Sequence, residues 1–141
     1  MPTNQLVKLD FSRFPRAGAL TVLASVAAVQ IIRALAVLIL HPSAPFEPLT
    51  VFPAVLDTVL GVAGAIFVFY QIGQYAQDPI STFRKVAAAV LLLSFAPDVA
   101  LVTQHVPGAG WPEAFALMSM HIVVWAICVL MLPGLVATKS T

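Results

Sequence analysis

Four ionisable side chains, Arg33, Asp57, Asp98 and His121, stand inside long apolar runs of a 141-residue chain. A guanidinium, two carboxylates and an imidazole can exchange a proton, hold an ion pair or anchor a polar head group. A carboxylate at the centre of a membrane-spanning run costs about 2.5–3.5 kcal/mol on insertion scales, so such a group needs a partner or a task. Asp98 makes the strongest demand. It closes the stretch Ser94-Phe95-Ala96-Pro97-Asp98 in the middle of the run from Val86 to Val106. Pro97 has no N–H to give the carbonyl of Leu93, which predicts a kink beside the carboxylate. Backbone broken in this way is tolerated in lipid only where it is buried in protein or faces water.

Composition sets the frame for these four groups. The chain is 60% hydrophobic and 9% charged, with a mean hydropathy of +0.98. A soluble domain would carry roughly 25% charged residues, so the chain reads as one membrane-embedded domain and the bilayer as its first partner. A net charge of +1 with no basic stripe gives no nucleic-acid surface. The single cysteine, Cys128, excludes an internal disulfide and a CxxC motif. The apolar run after Lys8, Arg13 and Arg16 is longer than a signal peptide's and continues past the small residues that resemble a cleavage site.

The elements that must position the four groups follow from the apolar runs. Residues 1–16 read as a cytoplasmic, interfacial segment, with Phe11 and Phe14 toward lipid. Residues 17–136 read as a four-helix transmembrane domain with spans at about 17–40, 50–75, 86–106 and 113–132, and 137–141 as a cytoplasmic tail. Pro42, Pro45 and Pro48 make the first connection a loop. The second, from Ala76 to Lys85, is polar and basic, and the third, from Pro107 to Pro112, is a tight turn with an interfacial Trp111. On span 2, Asp57, Gly61 and Gly64 share a face, and the two glycines are expected to let a neighbouring helix approach closely. Outside the spans the cations are Lys8, Arg13, Arg16, Arg84, Lys85 and Lys139, all in the N-terminal segment, the middle loop or the C-terminal tail. The positive-inside rule then puts both termini in the cytoplasm of a multi-pass protein of the cell membrane. Short connections favour an up-down-up-down all-α bundle.

Depth brings the four groups together. Arg33 lies 7 residues before Leu40, Asp57 7 after Thr50, Asp98 8 before Val106 and His121 8 after Glu113. At 1.5 Å per residue each is about 10–12 Å below the outer boundary. The expectation is one polar layer in the outer half of the bilayer, with Arg33 paired to Asp57 or Asp98. Its formal charge is −1 with His121 neutral and zero with His121 protonated, and it should titrate as a unit. Gln30, which shares a face with Arg33, and Ser94, one turn before Asp98, are expected to extend it. Trp125 and Cys128 follow His121 on its face of span 4 and read as supporting core.

Other chemistry is weaker in the sequence. His41, Glu47, His105 and Glu113 near the outer surface have donor atoms for a metal, but loop histidines are usually only solvated, and Arg33 opposes a cation within the layer. Haem ligation would need a pair of transmembrane histidines, and only His121 lies away from the end of a span. Met118 and Met120 read as packing residues. No nucleophile motif, metal motif or Gly-rich phosphate loop is present, so no catalytic residue, resident metal or cofactor is assigned.

Short motifs carry a resemblance. Ile32-Arg33-Ala34-Leu35-Ala36, Thr82-Phe83-Arg84-Lys85, Leu91-Leu92-Leu93-Ser94-Phe95-Ala96-Pro97-Asp98 and Ala116-Leu117-Met118-Ser119-Met120-His121 resemble a family of small bacterial four-span membrane proteins of unknown function, common in actinobacteria. The resemblance implies a stand-alone four-span protein and no activity. Three readings follow from the residues. The first is a polar pocket that binds a small or lipid-like ligand or relays protons. The second is a structural or accessory subunit packed against a larger membrane complex through the Gly61/Gly64 face, with the charges as internal staples; a homo-oligomer belongs instead to the first reading, where a transport role would need one. The third is a membrane enzyme on a lipid-like substrate, with His121 and an aspartate as acid and base.

Overall fold

The computed structural model describes residues 8–41 and 46–138. Four helices make up almost all of it: α1 (Phe14–Leu40), α2 (Val51–Tyr75), α3 (Pro79–Thr103) and α4 (Trp111–Val136). Each has 25 to 27 residues, against the roughly 20 that a bilayer crossing needs, and each is apolar enough to span. The protein is an all-α, four-span bundle.

The helix ends show where local chemistry overrode the hydropathy reading. α3 starts nearly two turns before the expected Val86. The Asp78 side chain accepts from the backbone N–H of Ser81 at 3.1 Å, and Pro79 opens the first turn, a cap and first-turn proline that start a helix. Thr82-Phe83-Arg84-Lys85 is therefore helical. The helix continues through Pro97 and ends at Thr103, short of Val106. α4 runs through Pro133 to Val136, past the expected stop at Leu132. Leu132, Pro133 and Val136 are buried there, so packing holds the helix across the proline.

α1 packs along α2 and α4, and α3 packs along α4, while the α2–α3 side is the thinnest of the four sides of the bundle. One buried cluster fills the end that holds the start of α1 and the end of α4. It contains Phe14, Val62, Phe69, Phe83, Leu132 and Val136. The Phe69 ring lies 4.7 Å from that of Phe83 and 5.5 Å from that of Phe14, which joins α2, α3 and α1 at this end. A second cluster, with Val29, Phe46, Leu49, Ala54, Leu117 and Met120, closes the opposite end.

The segments flanking the bundle are tied together, which hydropathy did not anticipate. β1 (Lys8–Leu9) pairs antiparallel with β2 (Ala137–Thr138), Lys8 opposite Thr138. The Asp10 N–H donates to the Val136 carbonyl at 2.9 Å, and the Thr138 hydroxyl donates to the Lys8 carbonyl at 3.1 Å. Phe14 does not face lipid as expected. It is 5% exposed and stacks on Phe11, which also meets Tyr70 edge-on. Leu9 and Phe11 lie over Gly73, where a Cβ would come within 2.8 Å of Leu9 Cδ1. The expectations for Pro42, Pro45 and Lys139 lie outside the described residues.

Candidate ligand cleft

Beyond the Phe69–Phe83 contact, α2 and α3 leave a cavity of about 700 Å³ between them, backed by α4. α2 lines it with Asp57, Gly61, Gly64 and Val68, and α3 with Val90, Ser94, Pro97, Asp98 and Leu101. α4 supplies Leu117, His121, Val124, Trp125 and Cys128, whereas α1 reaches the wall only at Val29. The spacing is i, i+4, i+7 and i+11 on α2 and i, i+4, i+7, i+8 and i+11 on α4, one stripe of each helix. The volume falls within the range of small-molecule sites, about 300–1,000 Å³, and the mostly apolar wall with a few polar groups is their usual make-up.

Asp98 and His121 meet across α3 and α4. Nε2 of His121 lies 3.4 Å from Oδ2 of Asp98, with the Asp98 side chain 6% and the His121 side chain 38% exposed. The two are within ion-pair distance but not aligned as a hydrogen bond, and Asp98 Oδ2 is buried with no hydrogen-bond donor. One turn along α4, the indole Nε1 of Trp125 is likewise buried with no acceptor. An unsatisfied acceptor and an unsatisfied donor in the wall of one cavity are costly unless a ligand or water meets them. Pro97 reinforces this, since it frees the Leu93 carbonyl from its helical partner.

The other predicted members of the layer behave differently. Asp57 lies in the wall and is exposed, without an ion-pair partner among the described residues. Arg33 does not join either aspartate. Its Nε donates to Oε1 of Gln30 at 2.7 Å, and no carboxylate lies within ion-pair distance of it among the described residues. The partner is a neighbour on its own helix, and Arg33 is outside the cavity wall. Gln30 thus serves Arg33 and leaves its own Nε2 buried without a partner. Ser94 lines the cavity, but its hydroxyl donates to the Leu91 carbonyl at 2.7 Å. The layer contracts to the Asp98–His121 pair with Asp57 opposite.

Among the described residues, Gly61 and Gly64 seat no helix. Both are exposed, and nothing lies within 4 Å of where a Cβ would stand. They widen the cleft. Met120 is buried as a packing residue. Among the described residues no three His, Cys, Asp or Glu side chains gather where they could hold a metal ion. His41 and His105 instead occupy left-handed backbone positions at the ends of α1 and α3, with φ of 44° and 55°.

The sequence led to a polar pocket lined by Arg33, Asp57, Asp98 and His121, but not to its place between α2 and α3, its mostly apolar wall or the parts played by Phe83 and Val90. The signal was present in the shared stripes of α2 and α4. It was masked because in a membrane span an apolar stripe facing a cavity has the same composition as one facing lipid. No protein-family model, no curated protein and no solved structure matches the chain.

Proposed function

We propose that this protein binds a small, membrane-partitioned molecule in the α2–α3 cleft, with its polar end at Asp98 and His121. The observation that carries this reading is the coincidence of a cavity of about 700 Å³ with a buried, donor-less Asp98 Oδ2 in its wall. An apolar body would lie along Leu101, Val90 and Val68, and the polar end would meet the pair. The imidazole and carboxylate stand on two different helices within ion-pair distance, so a ligand that entered the cleft would meet both at once. The cations flanking the spans support a cytoplasmic placement of both termini, with the pair in the outer half of the cell membrane. The motif resemblance to bacterial four-span proteins adds no activity to this reading.

A second reading is that the cleft seats a helix of another membrane protein. Gly61 and Gly64 favour it, because their open surface allows close backbone approach. Native mass spectrometry of the gently extracted protein separates the two. A bound small molecule lost on Asp98→Asn and kept on Arg33→Gln supports the ligand cleft. A defined larger assembly that is insensitive to Asp98→Asn but lost on Gly61→Leu supports the subunit.

A further inference from the structure

The charge of the cleft is one-sided. Its wall holds two carboxylates, Asp57 and Asp98, and neither Lys nor Arg. Arg33, the only Arg or Lys inside the apolar part of the bundle, is turned to Gln30. Arg84 and Lys85 stand at the start of α3, about 20 Å from Asp98 along the helix at 1.5 Å per residue. His121 is the one wall group that can become positive, and Cys128 is the remaining titratable one. With both carboxylates ionised, the wall sums to −2 when His121 is neutral and −1 when it is protonated. In apolar surroundings an unbalanced negative charge is costly and favours a counter-cation.

From this we infer that the ligand of the cleft is a lipophilic cation, a protonated amine or a quaternary onium carried on a bulky apolar body. The inference rests on the binding reading above and specifies its ligand class. Asp98 supplies the buried counter-charge and has a free acceptor, Oδ2. Asp57, exposed on the opposite wall, supplies the entry-side charge. Trp125 and Phe83 add aromatic surface, which attracts cations through the ring quadrupole. A lipophilic anion would meet two carboxylates and no fixed cation, so the wall discriminates by repulsion as well as by attraction.

The test uses two ions of matched shape and opposite charge, tetraphenylphosphonium and tetraphenylborate. Binding is measured by equilibrium dialysis to the full chain in nanodiscs of neutral lipid, with empty nanodiscs subtracted. The expected result is saturable binding of the phosphonium at least tenfold tighter than of the borate. Asp98→Asn and Asp57→Asn should each weaken it several-fold, and Arg33→Gln should leave it unchanged. Asp57→Asn keeps the test decisive if Asp98→Asn fails to fold, because Asp57 is exposed and has no ion-pair partner among the described residues. Equal saturable binding of both ions overturns the cation assignment while leaving a lipophile-binding cleft. Phosphonium binding that survives both aspartate changes overturns it as well. So does saturable binding of neither ion, and a small molecule found by native mass spectrometry would then preserve the binding reading alone.

Discussion

His121 on α4 and Asp98 on α3 hold Nε2 and Oδ2 3.4 Å apart at the back of the cleft. They are the one pair of oppositely ionisable groups from different helices that meets within the described bundle. Removing one partner of a buried pair leaves the other uncompensated, which costs about 3–5 kcal/mol when both are fully buried. His121 is partly exposed, so about 1–3 kcal/mol is expected for His121→Ala, and less for Asp98→Asn, which removes the charge but keeps the shape. The double variant should recover part of the sum, with a coupling of at least about 0.5 kcal/mol. Thermal or denaturant unfolding in detergent of the four proteins checks this, and strict additivity would show that the two groups do not interact.

Gly61 and Gly64 separate the roles of small residues in this bundle. Gly61→Ala has open space around it, so it should leave stability unchanged or raise it by about 0.5–1 kcal/mol through helix propensity. Gly61→Leu should fold equally well and weaken ligand capture, because its side chain enters the cleft. Gly73→Val should do the reverse. It drives a branched side chain toward Leu9 and Phe11 and should release the N-terminal segment while leaving binding intact. Proteolysis at Lys8 reads the release, and dialysis reads the binding.

Phe69 and Phe83 are 0% and 1% exposed, and their rings are in contact. In water-soluble cores Phe→Ala costs about 3–5 kcal/mol. The separated helices of a membrane protein already lie in lipid, so the transfer part of that cost is absent and the cavity part remains. About 1–3 kcal/mol is expected for Phe83→Ala, with little effect for Leu93→Ala, whose side chain is exposed. Equal melting temperatures for the two variants would contradict the assignment of Phe83 to the seam.

Asp10 gives the N-terminal turn a pH dependence. Its carboxylate accepts from the Ser12 hydroxyl at 2.6 Å and the Ser12 N–H at 3.1 Å, and it pairs with Arg13 at 3.0 Å. The Ser12 hydroxyl bond is the largest cause holding its carboxyl below the ordinary value, with the Ser12 N–H and Arg13 acting in the same direction. A carboxyl with a lowered pKa in the folded state adds stability that is complete above its ordinary pKa and is lost as pH falls through the folded value. Hydrogen exchange at Ser12 should therefore be unchanged in the neutral range and gain protection-loss only below about pH 4. Asp10→Asn should show the weakened turn at every pH.

The four spans were legible because a run of twenty apolar residues has almost no other solution in a protein of this composition. That Asp98 and His121 stand level was legible from depth, since two antiparallel helices with groups at equal distance from the same boundary bring them level; that they pair with each other was not, the expected partner of an aspartate being Arg33. Depth carries no azimuth, however. Arg33 stands at a similar depth and faces its own helix neighbour Gln30, and equal depth could not show this. Helix rotation about its axis is set in lipid by packing contacts such as Phe14 on Phe69, which involve residues far apart in sequence. The pairing of β1 with β2 was hidden for the same reason, as two-residue strands leave no periodicity to read.

The uneven seams of the bundle give it a mechanical direction. Lys8–Leu9 and Ala137–Thr138 stitch the flanks of α1 and α4 together, and Phe69 on Phe83 pins α2 to α3 at that same end. Three sides are sewn along their length, and the fourth, α2 against α3, is the thinnest and is closed by the aromatic contact. The molecule is built like a clothes-peg whose spring is an aromatic pair. Lateral load from the surrounding lipid has one soft coordinate to act on, the gap between the free arms of α2 and α3, and the Asp98–His121 contact lies within the jaw.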